Sequence, residues 1–240
     1  MTGLVNRLRA ASINARYAGR IWKRLGGVYP RACNICGYSG LFNAHGLPPR
    51  FDARCPACGS LERHRHQVLW ISRLTDAVRG KRVLHFAPEP VLRRYYRALA
   101  ATYTSADIAK GRADTTLNIE RIDQPDESWD VVIANHVLEH VDDSKALAEI
   151  HRVLAPGGVA ILSFPIALGF AQTYENASII LNADRDLHFG QWDHVRYYGT
   201  DAADRIAAAG FEVSSFTASE PDVHRHSLSR NAREFLARKP

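Results

Sequence analysis

The sequence predicts an α/β fold, a doubly wound parallel sheet with helices on both faces, preceded by a small zinc-binding module. Two observations predict the sheet: short, almost wholly apolar stretches recur along residues 82–240, and segments with helical periodicity separate them. A third observation, four cysteines confined to residues 33–58, predicts the separate module. With 240 residues and 46% hydrophobic side chains, the chain has room for one full core and one appended unit.

Residues 1–28 have the pattern of a basic amphipathic helix. Residues 1–51 contain eight basic and no acidic side chains, and large apolar residues recur among the arginines at roughly helical spacing. Three interpretations remain open: a helix docked on its own protein, attachment to an anionic lipid or RNA surface, and a cleaved transit peptide. Residues 52–240 hold 23 basic and 25 acidic groups, so the main domain is not basic.

The hydropathy of the chain bears on its location. No stretch approaches 18 uninterrupted apolar residues, and the N-terminal segment lacks the apolar block of a secretory signal. We therefore expect no transmembrane segment and a cytoplasmic protein, with contact between the N-terminal helix and a membrane surface left open.

The cysteines form two C-x-x-C pairs: Cys33 and Cys36, then Cys55 and Cys58. This spacing is typical of a tetrahedral zinc site, and Gly37 and Gly59 give each turn the backbone freedom that it needs. Two disulfides are the alternative, which is disfavoured because cytosolic thiols stay reduced. A four-thiolate site leaves no open coordination position, so we expect a structural zinc in a module over residues 29–60. Three nearby histidines are expected to be bystanders: His45, His64 and His66.

The remaining elements follow in order. A connecting helix is predicted over residues 61–80, beginning at a capping serine, and the main domain over residues 81–240. A long insertion at residues 166–200 is expected to cover the substrate. Strands are predicted at 83–87, 103–106, 129–134, 159–164, 211–216 and 233–238, and helices at 91–100, around 147–154 and at 201–209.

Four segments of this domain resemble the class I S-adenosylmethionine-dependent methyltransferases, in particular the small-molecule enzymes with "VLEH" after the fourth strand. They are VLHFAPE at 83–89, TSADIA at 104–109, LNIERIDQPDESWDVVIANHVLEHVDD at 117–143 and LAPGG at 154–158. FGQWDHVRYYG at 189–199 is similar to a bacterial subgroup that carries a four-cysteine module before this domain. The resemblance implies a Rossmann-like seven-stranded sheet that ends in an antiparallel pair, with S-adenosylmethionine as the cofactor.

The resemblance also implies a cofactor crevice at the carboxyl ends of the first strands. The first loop departs from the family's glycine-rich pattern, because Pro88 and Pro90 remove two amide donors. Glu89 is placed to meet the ammonium group of the cofactor, and Asp107 to accept the ribose hydroxyls. The implied cofactor-binding residues are His85, Ala87, Glu89, Asp107, Asn118, Ile119 and Asn135.

The segment after the third predicted strand carries the candidate chemistry. Residues 136–140 also spell H-x-x-E-H, a metalloprotease signature, which their place after a buried parallel strand disfavours. His136 is the first candidate for a general base and His194 the second, with Asp193 placed to orient His194. Two interpretations of the turn remain: it binds a divalent ion, as in some relatives, or it is braced internally while His136 faces the pocket. Candidate substrate-binding residues are Glu139, His140, Asp193, Arg196 and Tyr197.

The leading hypothesis is methyl transfer to the oxygen or nitrogen of a small molecule. One alternative is an RNA methyltransferase in which the zinc module and the basic N-terminus bind phosphates. The acidic balance of residues 52–240 disfavours it, because RNA binding needs a basic surface around the active site. The other alternative is a non-catalytic domain that has lost the cofactor, suggested by the altered first loop.

Overall fold

The computed structural model describes residues 2–46 and 48–240, without the side chains of residues 2–4 and 6. The chain divides into two compact units. The first runs to Val68 and also includes Ala218–Arg230, and the second comprises Leu69–Thr217 and Asn231–Pro240. The main domain predicted over residues 81–240 includes residues 218–230. In the structure this segment belongs to the first unit, where the Arg31 guanidinium donates to the His224 carbonyl oxygen at 2.7 Å.

The described elements have the following bounds. The helices are α1 (Thr2–Arg24), α2 (Glu62–Ile71), α3 (Pro90–Leu99), α4 (Asp143–Val153), α5 (Asn182–Phe189), α6 (Ala202–Ala208) and α7 (Asp222–His226), with short 3-10 turns at Thr75–Ala77 and Leu138–His140. The strands are β1 (Pro30–Ala32), β2 (Ser39–Leu41), β3 (Asn43–His45), β4 (Arg50–Arg54), β5 (Arg82–Phe86), β6 (Thr102–Asp107), β7 (Thr115–Thr116), β8 (Trp129–Asn135), β9 (Leu154–Ser163), β10 (Tyr174–Glu175), β11 (Arg196–Tyr197), β12 (Glu212–Phe216) and β13 (Glu234–Arg238).

Helix α1 matches the predicted basic helix in extent and character. Every side chain that the structure describes from Val5 to Leu25 is exposed, and the Trp22 side chain is 78% exposed. The apolar side chains of α1 are therefore not covered by the described part of the chain. None of the described helices, α1 included, is long and apolar enough to cross a membrane.

The second unit contains the predicted sheet. Its seven strands lie in the order β12-β13-β9-β8-β5-β6-β7, and β13 runs antiparallel to both of its neighbours. The strands from β5 to β9 pair in parallel. The doubly wound, seven-stranded α/β fold with a final antiparallel pair is confirmed. Residues 131–134 of β8 are fully buried, as expected for a strand covered on both faces.

The connecting helix is shorter than predicted. Helix α2 ends at Ile71, whereas helical periodicity extends to residue 78. The Ser72 hydroxyl donates to the Leu69 carbonyl at 2.8 Å, and the Thr75 hydroxyl donates to the Ser72 carbonyl at 3.1 Å. Such side-chain bonds compete with the helical ladder, so the chain continues in short turns.

Candidate functional site

The four cysteine thiols of the first unit converge on one point. All four sulfurs lie within 4.8 Å of one another, with distances of 3.7 Å from Cys33 to Cys58 and 3.8 Å from Cys36 to Cys55. A tetrahedral zinc ion with bonds of about 2.3 Å places its sulfurs about 3.8 Å apart. A disulfide joins them at about 2.05 Å. The cysteines therefore fit a zinc ion and do not fit two disulfides.

Two equivalent turns hold these thiols. The Gly37 amide donates to the Cys33 carbonyl and the Gly59 amide to the Cys55 carbonyl, both at 2.9 Å. The φ angles of the two glycines are 77° and 75°, the left-handed region that glycine enters without a steric penalty. Burial raises the pKa of the Cys55 thiol, so a bound cation is needed to hold it as a thiolate.

Arg65 is a fully buried cation beside the thiols. Its guanidinium donates to four backbone carbonyls at 2.6–3.0 Å: those of Ala53, Ser60, His226 and Ser227. Burial lowers the pKa of Arg65, and the negative charges of Cys33 and Glu62 oppose this shift. Since four thiolates around Zn²⁺ carry a net charge of about −2, the guanidinium offsets part of that charge.

Two of the three histidines near the cysteines, His64 and His66, accept backbone hydrogen bonds on one ring nitrogen each. The Leu61 amide donates to His64 Nδ1 at 3.1 Å, and the Ala218 amide donates to His66 Nε2 at 3.1 Å. The Ser60 hydroxyl lies 3.2 Å from Cys58 Sγ, where it can act as an outer-shell hydrogen-bond partner of a metal-bound cysteine.

In the second unit, a cavity of about 370 Å³ lies at the carboxyl ends of β5, β6 and β8. This volume falls within the range of small-ligand pockets, about 300–1,000 Å³. The sheet order reverses between β5 and β8, and parallel sheets bind ligands at such a switch point. Seven of the predicted site residues line the cavity: Ala87, Asp107, Asn118, Ile119, His136, His140 and Asp193.

A larger cavity, of about 660 Å³, lies at the opposite end of the sheet. Asp130 lines it and is paired with the Arg82 guanidinium at 2.7 Å. Because ligands of parallel sheets bind at the carboxyl ends of the strands, the smaller cavity is the candidate site.

Two residues that line this cavity have left-handed backbone conformations. Ala87 follows β5 with φ of 44°, and His136 follows β8 with φ of 53°. Such conformations cost non-glycine residues about 1–3 kcal/mol and cluster at functional sites. Neighbouring strands hold both turns, because the Ala87 amide donates to the Ala106 carbonyl at 2.8 Å and the His136 amide to the Ser163 carbonyl at 2.7 Å.

Asp107 ends β6 at the cavity. The Ala109 amide donates to its Oδ1 at 2.8 Å, which fixes the orientation of the carboxylate. Beside it, the Asn118 side-chain oxygen accepts from the Glu120 amide at 2.9 Å, and Ile119 is buried in the cavity wall. A carboxylate next to an apolar wall suits a ribose and the flat base attached to it.

The other three residues predicted to bind the cofactor do not line the cavity. His85 is buried with its Nδ1 2.9 Å from the Tyr103 hydroxyl, and burial lowers the pKa of His85 to about 3. Glu89 is half-buried and begins helix α3. Asn135 is buried and accepts from the Ser163 hydroxyl at 3.0 Å.

The two candidate bases lie at different depths. His136 lines the cavity, and its Nδ1 lies 3.2 Å from Glu139 Oε1. The Glu139 side chain is 2% exposed. His194 is buried, and burial lowers its pKa. His136 is therefore the better placed of the two to contact a ligand.

The pairing predicted for Asp193 differs in the structure. Asp193 Oδ2 lies 3.3 Å from His140 Nδ1, whereas His194 Nδ1 donates to the Phe189 carbonyl at 3.1 Å. The His140 and His194 rings meet edge to face with centroids 4.7 Å apart. One potential ligand atom each from Glu139, His140 and His194 lies within 4.8 Å of the other two.

Arg196 and Tyr197 do not line the cavity. The buried Arg196 guanidinium donates to the Leu138 and Val141 carbonyls at 2.6 and 2.5 Å, so it braces the turn after β8 from the insertion. Tyr197 contacts the Phe170 ring, with centroids 6.2 Å apart. The charge of Arg196 is thus used within the fold.

Ile108 and Arg112 are among the cavity residues that were not predicted. Ile108 is 72% exposed although it is apolar, and its place directly after Asp107 is a signal that the sequence offered. Arg112 reaches the cavity through a loop that Asp114 anchors by accepting from the Ser105 hydroxyl at 2.6 Å. That hydrogen bond, followed by bonds from nearby amide and arginine groups, lowers the pKa of Asp114 to about 2.

The region around the cavity is similar to known methyltransferases. A family model described as a methyltransferase domain matches residues 93–162, which include Asp107 and His136. A Mycolicibacterium smegmatis protein named as a probable S-adenosylmethionine-dependent methyltransferase is 26% identical over 162 residues. That match covers 62% of this chain and 58% of the relative, so the chain spans less than two thirds of the relative's length.

Solved structures share the fold of the second unit. An S-adenosylmethionine-dependent methyltransferase from Mesorhizobium loti matches with a TM-score of 0.51 and 15% identity, over 70% of this chain and 97% of that one. The (4+2)-cyclase SpnF matches with a TM-score of 0.50 and 18% identity, over 70% and 81%. At such identities the likeness establishes the fold alone, and the cyclase indicates that the fold does not fix the reaction.

Proposed function

We propose that this chain is a class I S-adenosylmethionine-dependent methyltransferase and that it transfers a methyl group to an oxygen or nitrogen of a small molecule. The observation that carries the proposal is the cavity at the carboxyl ends of β5, β6 and β8, with Asp107 and His136 in its lining. When bound, S-adenosylmethionine supplies a methyl group that is already activated on a sulfonium. The side chains therefore have mainly to bind and align the reactants.

Asp107 and its apolar neighbours provide the binding surface for the nucleoside. The fixed Asp107 carboxylate accepts hydrogen bonds from ribose hydroxyls, as acidic residues do at the same place in dinucleotide folds. Ile108 and Ile119 present apolar surface to the base. Ala87 lets the backbone approach the ligand closely, because its side chain is a single methyl group.

His136 is the proposed general base. Glu139 Oε1 accepts from His136 Nδ1, which leaves the lone pair on Nε2 in the neutral ring. That nitrogen takes the proton of an acceptor hydroxyl or amine as the methyl group is transferred. Strain at His136 supports the assignment, since its backbone is held in a costly conformation at the edge of the cavity.

The cysteine module is proposed to bind one structural zinc ion in a cytoplasmic, reducing environment. Its support is the sulfur spacing of 3.7–3.8 Å, which matches tetrahedral coordination. A closed site of this kind stabilises the fold and leaves no position for substrate.

The test of cofactor binding is calorimetric titration with S-adenosylhomocysteine. Replacement of Asp107 by Asn is expected to weaken binding by about 10-fold or more, because bonds to a charged group contribute about 1.5–3 kcal/mol. Asp204→Asn, at an exposed carboxylate of α6, is the matched control and should bind like the wild type. Unchanged affinity in Asp107→Asn, or no binding by the wild type, would overturn the proposal.

Measurement of the rate of methyl transfer distinguishes the proposed general base, His136, from the residues that bind the cofactor. His136→Gln is expected to keep S-adenosylhomocysteine affinity and to lose about 100-fold or more in the rate of methyl transfer, within the usual range for a general base.

The acceptor class is tested by supplying the methyl donor with cell extract divided into small molecules and RNA. Formation of S-adenosylhomocysteine only with the RNA fraction would contradict a small-molecule acceptor.

An RNA methyltransferase is the second candidate, because helix α1 exposes a row of basic side chains: Arg7, Arg9, Arg16, Arg20, Lys23 and Arg24. Phosphate contacts of this kind give an affinity that falls steeply with salt. RNA binding with a steep salt slope, lost on replacement of Arg16 and Arg20 by Gln, would favour this candidate.

A further inference from the structure

A second group of potential metal ligands lies beside the candidate active site. Glu139 and His140 belong to the turn after β8, and His194 comes from the insertion between β9 and α6. One ligand atom from each lies within 4.8 Å of the other two, and His140 also lines the cavity. Three ligand-type side chains from two separate segments are thus brought to one place.

The carboxylate of this group is buried and only half satisfied. The Glu139 side chain is 2% exposed, and its Oε1 lies 3.2 Å from His136 Nδ1. Its Oε2 is buried and has no hydrogen-bond partner among the described residues. A buried carboxylate oxygen is costly unless a donor or a cation meets it. The buried oxygen of Glu139 that lacks a partner is therefore a second observation, separate from the clustering of ligand atoms, that indicates a positively charged ligand at this place.

The two histidines are oriented as metal ligands usually are. His194 Nδ1 donates to the Phe189 carbonyl at 3.1 Å, and His140 Nδ1 faces the Asp193 carbonyl and carboxylate oxygens, each at 3.3 Å. Since these partners only accept, both Nδ1 atoms carry hydrogen, and Nε2 keeps its lone pair in each neutral ring. A carbonyl or carboxylate behind the ring is the usual outer-shell partner of a metal-bound histidine.

We propose that Glu139, His140 and His194 bind one divalent transition-metal ion at the edge of the active-site cavity. Two imidazoles and one carboxylate suit Zn²⁺ or Fe²⁺ and leave coordination positions open, unlike the four thiolates of the first unit. The proposed metal site rests on the positions of these three side chains and does not depend on the reaction. Its use in catalysis rests on the proposed methyl transfer.

In that use, an acceptor hydroxyl or amine would occupy an open position beside His140. The ion lowers the pKa of that group and orients it. The acceptor's O–H or N–H bond breaks and its proton passes to His136, a new bond forms to the methyl carbon, and the C–S bond breaks to leave neutral S-adenosylhomocysteine. An acceptor with two adjacent oxygens fits best, because the second oxygen can fill another open position.

The test is the zinc content of the full chain, saturated with Zn²⁺, desalted and measured by elemental analysis. The wild type is expected to hold two zinc ions per chain, one released by a chelator and the other only by a thiol-modifying reagent. Glu139→Gln, His140→Gln and His194→Gln should each hold one, with the chelator-sensitive ion lost. His188→Gln, at an exposed histidine of the same insertion, is the matched control and should keep both.

One zinc ion in the saturated wild type, or two in Glu139→Gln and His194→Gln, would overturn the site. Near-ultraviolet circular dichroism verifies that each variant is folded, and Glu139→Gln keeps the shape of the side chain where a histidine variant fails to fold. Titration with S-adenosylhomocysteine separates this proposal from the proposed function. Two zinc ions without cofactor binding would leave the metal site standing and remove methyl transfer.

Discussion

The two potential metal-ligand clusters among the described residues differ in whether their ligand sets are complete. The cysteine cluster is closed: four thiols surround one point, and the buried Arg65 guanidinium lies beside them. The cluster of Glu139, His140 and His194 is incomplete and borders a cavity of about 370 Å³. A closed ligand set commits a metal to the fold, whereas an incomplete set leaves room for a reactant. Stability should therefore depend on the first cluster and activity on the second.

The largest expected effect is on the first cluster. Cys55→Ser should abolish zinc binding there and unfold residues 29–60, because binding to structural zinc sites contributes about 10–16 kcal/mol. Hydrogen exchange measured by mass spectrometry should show lost protection in β1–β4 and retained protection in β8. Glu139→Gln, analysed in parallel, should leave β1–β4 protected. Retained protection in Cys55→Ser would mean that this cluster is not the structural one.

Arg65 offers the next largest effect. Arg65→Gln leaves several of its four carbonyl partners unpaired and removes the positive charge beside the thiolates. We expect a loss of about 3–5 kcal/mol in the unfolding free energy of the first unit, as for a broken buried charge contact. Urea unfolding followed by a probe in this unit measures it, and Arg9→Gln on exposed α1 is the control. A change below 1 kcal/mol would show that the buried charge does not support the cluster.

The histidines of the second unit also differ in their roles: His85 is buried within the fold, whereas His136 and His140 line the cavity. The folded-state pKa of His85 is about 3, below its unfolded value of about 6.5, because burial disfavours the charged ring. The unfolded state therefore binds more protons between these values, and stability falls as pH falls through this window. From pH 7 to pH 5 the expected loss is about 2 kcal/mol. His85→Gln should flatten this pH dependence in urea unfolding, whereas His45→Gln, at an exposed ring, should not.

The sequence predicted what depends on local pattern. Two C-x-x-C pairs predicted a cluster that the structure forms, and apolar stretches predicted the strands of the sheet. Asp107, which the resemblance implied, and His136, the first candidate base, both line the cavity, as expected for residues at the carboxyl ends of parallel strands. His85 was assigned to the cofactor by its place in the motif, but its side chain is buried and does not line the cavity. Motif position does not reveal which face a side chain takes at the end of a strand.

Contacts between segments that are distant along the chain could not be predicted from the sequence. Residues 218–230 join the first unit because Arg65, 161 residues before His226, donates to its carbonyl, and no periodic pattern encodes such a bond. The roles of Arg196 and His194 depend on how the insertion folds over the turn after β8. Arg196 was expected to bind substrate, but its charge braces that turn, and His194 instead approaches His140.

The smallest expected effect concerns Glu139 and decides whether the second cluster is free of a structural role. In chelator-treated protein, Glu139→Gln should change the unfolding free energy of the second unit by less than about 1 kcal/mol, because an amide replaces a buried carboxylate at equal volume. Added zinc at 100 times its dissociation constant should stabilise the wild type by about 2.7 kcal/mol and leave Glu139→Gln unchanged. Glu212→Gln, at an exposed carboxylate of β12, should respond like the wild type. If chelation alone unfolded the second unit, this cluster would be structural as well, and the contrast between a closed and an open site would fail.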